Sequence, residues 1–150
     1  MRVLITGAGS YLGGAIRDAL QKRGVEADEL DVRGALPEKA FQGYDRVVHV
    51  AGIAHRKETP ENRPLYEQVN HRLAVEIARA AKAQGVRQFV FFSTMSVYGK
   101  VTGRITADTQ PDPKNAYGAS KWAAEQEIAA LADEHFAVAV LRPPMIYGKG

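Results

Sequence analysis

The sequence contains no cysteine among its 150 residues. Disulfides, thiolate nucleophiles and thiolate metal sites are therefore excluded, and we assign no metal site. No apolar run approaches the roughly 20 residues that a membrane span requires. The N-terminus carries no signal-peptide pattern: Arg2 is followed by four uncharged residues and then glycines. A cytoplasmic location, away from membranes, is the resulting expectation. There is no internal repeat and no low-complexity segment. Charge of one sign is also scarce, with 20 basic residues against 17 acidic for a net +3. That balance offers no case for nucleic acid, although it suits a small anionic ligand. What is present is ordinary for a folded domain: 45% hydrophobic and 25% charged residues. The length predicts one domain over residues 1–150.

The chain begins with a short apolar strand, Arg2-Val3-Leu4-Ile5-Thr6, that runs into Gly7-Ala8-Gly9-Ser10-Tyr11-Leu12-Gly13-Gly14. An amphipathic helix follows, with Leu12, Ala15, Ile16, Ala19 and Leu20 on one side and Arg17, Asp18, Gln21 and Lys22 on the other. Gly24 ends it. Strand, glycine turn and helix together form a dinucleotide pyrophosphate site, because glycines let the backbone approach phosphate and a helix start offers free N–H groups. A glycine cluster alone is weak evidence; its place directly after the first strand strengthens it. The spacing is irregular. G-x-x-G-x-x-G fits Gly7 and Gly13 but meets Ser10 in the middle, while G-x-G-x-x-G fits Gly7 and Gly9 and fails at Leu12. The Ser10 N–H is expected to face a phosphate, with its hydroxyl adding a bond.

A second strand is predicted over Val25 to Val32. Asp31 stands where an acid accepts hydrogen bonds from an adenosine ribose, repels a 2'-phosphate and so favours NAD. Arg33 beside it is a residue type that holds such a phosphate, so NADP stays open. The plainer reading is that Asp31 caps a turn. Only the link Gly34 to Tyr44 precedes the next strand, Arg46 to Val50, where a full doubly wound half would carry a further strand and helix. One unit is therefore missing or reduced. His49 reads as a structural histidine. Ala51 and Gly52 are small residues at a strand end where a flat ring can lie close. The loop Ile53 to Pro64, with His55-Arg56-Lys57, reads as exposed and mobile. Leu65 to Gln84 is the longest helix pattern, with Val69, Leu73, Ile77, Ala80 and Ala81 at helical spacing and Asn70 on its inner face. Strands follow at Arg87 to Phe92 and Phe136 to Leu141. The order β-α-β-β-α-β-α-β predicts an α/β protein, a Rossmann-like doubly wound parallel sheet with helices on both faces.

Two segments carry candidate chemistry. Ser93-Thr94-Met95-Ser96-Val97-Tyr98-Gly99 follows the apolar run ending at Phe92, and Tyr117-Gly118-Ala119-Ser120-Lys121 opens a run of helix formers. Residues four apart share a helix face, which puts the Lys121 ammonium near the Tyr117 phenol. A free phenol has a pKa of about 10, and a neighbouring cation lowers it. A hydroxyl from Thr94 or Ser96 completes a set around one substrate oxygen, suited to moving a proton while a hydride moves at the adjacent carbon. Taken alone, a Tyr-x-x-x-Lys pair is most often a solvated coincidence. The loop Lys100 to Asn115, carrying Pro111 and Pro113, lies between the two segments as a substrate-facing flap.

With the glycine turn, the Ser93–Gly99 segment, Tyr117-x-x-x-Lys121 and Arg142-Pro143-Pro144-Met145-Ile146-Tyr147-Gly148 in this order, the chain resembles the extended short-chain dehydrogenase/reductase family. More narrowly, it resembles the NAD-dependent epimerase/dehydratase group that acts on nucleotide sugars. The resemblance implies NAD as cofactor, a family about twice this length, and a truncation after the Arg-Pro motif. It implies a homodimer through a helix pair that includes the Tyr117 helix, and a nucleotide-sugar substrate, UDP-linked. Tyr117 then matches the acid/base, Lys121 the residue that lowers its pKa and holds the nicotinamide ribose, and Thr94 the hydroxyl on the reacting sugar oxygen, with Ser96 assisting. Gly7, Gly9, Ser10, Tyr11, Leu12 and Gly13 match the pyrophosphate turn. Asp31 matches the ribose acid, or Asp31-Val32 matches the later acid-plus-aliphatic pair that brackets adenine. Arg33, Val50, Ala51, Gly52 and Pro143 fall beside the cofactor, and Asn70 matches a helix asparagine that steadies the loops. The implied activity is a 4-epimerase or 4-keto reductase. The 4,6-dehydratase branch is disfavoured because its acid and base positions are Met95 and Ser96. The alternative class is a non-catalytic NAD(P)-binding module or an inactive fragment.

Overall fold

In the computed structural model, residues 1–54 and 58–148 are described. Five strands form one parallel sheet in the order β2-β1-β3-β4-β5. They are β1 (Arg2–Thr6), β2 (Glu26–Leu30), β3 (Arg46–His49), β4 (Gln88–Phe92) and β5 (Ala137–Leu141). Every neighbouring pair is parallel, with Thr6 opposite both Leu30 and His49. The chain therefore steps outward from β1 in one direction and then reverses, leaving a crevice between the carboxyl ends of β1 and β3. The predicted second strand is shorter than its sequence pattern, and Asp31 lies just beyond it.

Alternation along the strands divides the core. Leu4, Val47, Phe89 and Phe91 face one side, where Ala74, Ile77, Ala78 and Ala81 of helix α3 (Ala74–Ala83) and Ala124 and Ile128 of helix α4 (Ala116–Ala129) cover them. Val3, Ile5 and Val48 face the other, against Ile16 and Leu20 of helix α1 (Tyr11–Gln21). On that second side, Val90, Phe92 and Ala139 stay half-buried and Leu141 is exposed.

The link between β2 and β3 contains no strand or helix. Val32 and Phe41 are buried against the α3 side of the sheet, and the Phe41 N–H donates to Gln84 Oε1 at 2.9 Å. Two apolar anchors and one long-range hydrogen bond hold the shortened connection. The long helix pattern is one continuous helix with a different middle: α2 (Arg63–Tyr66), a π-helical stretch (Glu67–Leu73) and α3. A π-turn admits an extra residue and redirects side chains. The residue it turns fully inward is Asn70. The preceding loop is anchored, contrary to the exposed, mobile segment expected from its polarity. Glu58 accepts from the Ala116 N–H at 2.7 Å and from Arg63 Nε at 2.7 Å. His55, Arg56 and Lys57, on which the cationic-loop reading falls, lie outside the described residues. No helix among the described residues is long and apolar enough to cross a membrane.

Candidate active site

The glycine turn is shaped by three constraints. Gly7 has φ +103°, and a Cβ there would lie 3.0 Å from Val50 Cγ2 and 3.1 Å from Ala51 N, so β1 and β3 converge only over a glycine. Gly9 has φ +75° with open space beside it, and a Cβ on Gly13 would meet Ser10 Oγ at 2.9 Å. Ser10 is the N-cap of α1: its Oγ accepts from the Gly13 N–H at 3.0 Å, and its own N–H donates to Gly7 O at 3.1 Å. The Ser10 N–H is thus turned into the loop, whereas its hydroxyl, accepting from Gly13, still has its own proton to donate. Among the described residues no partner is found for the N–H groups of Gly9, Tyr11 and Leu12, the last two being the first-turn donors that a helix leaves unpaired. They offer an anion site.

Around this turn lies a cleft of about 280 Å³, lined by Gly7 to Ser10, Asp31 to Arg33, and Val50 to Gly52. It adjoins a larger hollow of about 840 Å³ that shares Val32, Arg33, Ala51 and Gly52 and is walled on its far side by Pro64, Val69 and Arg72. The combined groove fits an elongated ligand with a diphosphate at the turn. Asp31 and Arg33, which the sequence set in opposition, are paired: Asp31 Oδ1 accepts from Arg33 N and Nε, each at 2.9 Å. That pairing holds the Asp31 carboxyl down at about 2. The carboxylate is therefore ionised throughout the neutral range, while the Arg33 charge is matched.

Gly52 is where the cleft meets the second group of residues. A Cβ there would lie 2.9 Å from Asn70 Oδ1 and 3.2 Å from Lys121 Nζ. Asn70 is fully buried and clamps the same loop, accepting from Ile53 N at 2.8 Å and donating to Ile53 O at 2.9 Å. Lys121 is 4% exposed; its Nζ donates to Phe92 O at 2.9 Å and sits 4.8 Å over the Phe91 ring. Burial pushes its ammonium down to about 8, opposed by Glu125.

Tyr117 stands in the first turn of α4, whose N-cap Asn115 accepts from the Gly118 N–H at 2.7 Å. Burial raises its phenol above the ordinary value, and a hydrogen bond with Thr94 pulls it back. The Lys121 ammonium one helical turn on is directed to the Phe92 carbonyl. Thr94 Oγ1 also accepts from the Ser96 N–H at 3.1 Å. Ser96 thus contributes its backbone, from the short 3-10 turn Met95–Tyr98. The Pro143 carbonyl accepts from Met95 N at 3.2 Å, which places the Arg142-Pro143 segment beside the same turn. His49 is buried between Phe89 and Phe91, with Nδ1 2.7 Å from Thr6 Oγ1. Three neighbours escaped the sequence reading. The Tyr66 ring meets Tyr117 edge-on at 6.3 Å. Glu58 binds the start of α4, and Glu125, four residues after Lys121, binds Arg142. Only Glu125 carried a readable signal, the same four-residue spacing that links Tyr117 to Lys121.

A sequence model of the NAD dependent epimerase/dehydratase family matches residues 3–150. The UDP-glucose 4-epimerase of Vibrio cholerae is 36% identical over 110 residues, which is 69% of this chain and 34% of that protein. The 2-alkyl-3-oxoalkanoate reductase of Stenotrophomonas maltophilia is 31% identical over 175 aligned positions, covering 100% of this chain and 52% of that protein. Among solved structures, MoeE5 in complex with UDP-glucose and NAD superposes with a TM-score of 0.82 at 28% identity, over 95% of this chain and 54% of that one. The chain thus spans about a third to a half of the length of the relatives it matches.

Proposed function

The chain belongs to the NAD-dependent epimerase/dehydratase family, and from that membership we propose that it carries the NAD site and the acid/base group of a nucleotide-sugar 4-epimerase or 4-keto reductase. The observation that carries this reading is the shared wall at Gly52. One side lines the cleft beside the glycine turn, and the other touches Asn70 and Lys121, one helical turn from Tyr117. The cleft fits NAD: the Gly9, Tyr11 and Leu12 amides would hold the diphosphate, Asp31 a ribose, and Ala51 and Gly52 a flat ring. Asp31 stays ionised and Arg33 is occupied by it, which favours NAD over NADP.

When bound, NAD supplies a hydride acceptor and donor at the sugar C4. Tyr117 takes the C4 hydroxyl proton as the alcohol is oxidised and returns a proton when the ketone is reduced. Burial raises its phenol and favours the protonated form, the one that donates to a 4-keto oxygen. Thr94 holds the phenol oxygen and favours the phenolate needed in the other direction. Lys121 lends positive charge to the site, and Asn70 fixes the Ile53 loop against it. MoeE5 is described with UDP-glucose and NAD, and the Vibrio relative is a UDP-glucose 4-epimerase; these support a UDP-linked sugar. Full coverage of this chain by the oxoalkanoate reductase supports a second reading, reduction of a 3-oxoalkanoate by cofactor hydride with the same Tyr117 proton. A homodimer belongs to the same proposal and is checked by sedimentation.

The test is calorimetric titration with NAD and NADP, followed by turnover of UDP-sugars and of 3-oxoalkanoates. Tyr117→Phe should lower turnover by about 10³-fold and leave NAD affinity within about twofold, since the phenol oxygen alone is lost. Equal turnover in that variant would sink the role of Tyr117.

A further inference from the structure

Arg142 closes β5, and its guanidinium is used on both sides. Nε donates to the two carboxylate oxygens of Glu125 at 3.1 and 3.0 Å, and Nη2 donates to Oε2 at 2.6 Å. Nη1 donates to Tyr98 Oη at 2.6 Å. The same group lies 5.0 Å over the Tyr98 ring and 5.3 Å over that of Trp122. Glu125 is 3% exposed. A carboxylate buried that far needs a partner that satisfies it fully, and a forked guanidinium is the side chain whose geometry does so.

The partners of Arg142 belong to the two segments that carry Thr94 and Tyr117. Thr94 and Tyr98 stand at opposite ends of the 3-10 turn. Tyr117, Lys121 and Glu125 recur at four-residue spacing along α4, so they form one stripe. Turn and helix pack directly at one end, where a Cβ on Gly118 would lie 2.5 Å from Ser96 O, and Arg142 joins them at the other. One attachment would leave the turn free to pivot; two fix its angle as well as its distance.

The network also decides what Lys121 faces. A lysine and a glutamate four apart on a helix pair readily. Here the Glu125 carboxylate is drawn to Arg142, and the Lys121 ammonium donates to Phe92 O instead. His49 on β3, pushed down to about 3 by burial and by Lys121 itself, is neutral and sets no charge beside the lysine. We propose that Arg142 is a positioning residue for the acid/base pair, holding the Thr94 turn and the Tyr117 helix in one register and keeping the Glu125 carboxylate away from Lys121. This rests on the roles given to Tyr117 and Lys121 above.

The experiment is NMR titration of the Lys121 side chain, with circular dichroism as the folding control, because the sole tryptophan, Trp122, stacks on Arg142 itself. In Arg142→Met the Lys121 midpoint should rise by about one pH unit as Glu125 turns to it. Adding Glu125→Gln should return it toward the original value. A folded Arg142→Met chain in which Lys121 titrates unchanged overturns the proposal. If that variant fails to fold, Tyr98→Phe removes one hydrogen bond and carries the test. It should lower kcat by about tenfold at constant NAD affinity, and an unchanged kcat overturns the proposal. The lysine titration needs neither cofactor nor substrate. An inactive chain with the expected Lys121 shift would therefore count against the enzymatic reading and for the network.

Discussion

At the glycine turn, the groups that face the cleft are backbone amides, and the charged pair beside them, Asp31 and Arg33, stands in solvent. Around Tyr117 the groups are side chains, and most are inside: Asn70, Thr94, Lys121, Glu125 and His49 are all buried. The first region needs only a chain path, which a few glycines and one cap supply. The second needs polar atoms kept dry, and each must find a partner across the fold. Ligand binding at the turn is thus nearly free of stability costs, while the acid/base end is held at a cost that titration can read.

The largest expected effect breaks the buried region with acid. His49 is pushed down to about 3 by burial, with Lys121 adding to the shift. Its folded value lies below its unfolded one of about 6.5, so its contribution is complete above that pH and is lost as pH falls toward 3. The loss totals about 5 kcal/mol. Denaturation monitored from pH 7 downward should show stability falling already between 6.5 and 4.5, before the paired carboxylates protonate, and His49→Phe should flatten that limb. Next is Lys121. Its folded value of about 8 lies below the unfolded value of 10.5, so stability rises with pH between those limits. Lys121→Met should accordingly stabilise the chain at pH 7 by about 3 kcal/mol while weakening NAD binding; thermal melts and calorimetry check both.

Gly52→Ala tests whether the two regions are separable. The added methyl presses on Asn70 Oδ1 and Lys121 Nζ, so it should cost about 1–2 kcal/mol and reduce NAD affinity and turnover together, as read by melting and steady-state kinetics. A change in only one of the two would show that the wall is not shared. The smallest effect belongs to the open region. Asp31→Asn should weaken NAD by about tenfold, narrow the preference over NADP by releasing Arg33, and leave the melting temperature unchanged, because exposed ion pairs contribute little.

Much of this was legible in the residues. β1, the glycine turn and α1 follow from a run of apolar residues meeting glycines whose positions are forced by backbone contact. The shortened link and the element order could be counted directly. Other features depend on residues distant in sequence. Nothing local to Glu58 indicates that it will bind Ala116, and polarity alone made its loop look free. The π-stretch is invisible to helical periodicity, because Val69, Leu73 and Ile77 keep a plausible apolar spacing through it. The inward turn of Lys121 was likewise hidden: spacing put the ammonium near Tyr117, and the Phe92 carbonyl took it elsewhere.

The π-helical stretch makes chain length itself a constraint. The link between β2 and β3 has lost its regular elements and still closes over Val32 and Phe41. Residues 67–73 have no such latitude. Deleting one residue there would take out the extra residue and restore ordinary helical pitch, redirecting the side chains within the stretch and carrying Asn70 off the Ile53 loop. The protein can shed a whole unit at its edge, yet in this one helix it has to keep its count.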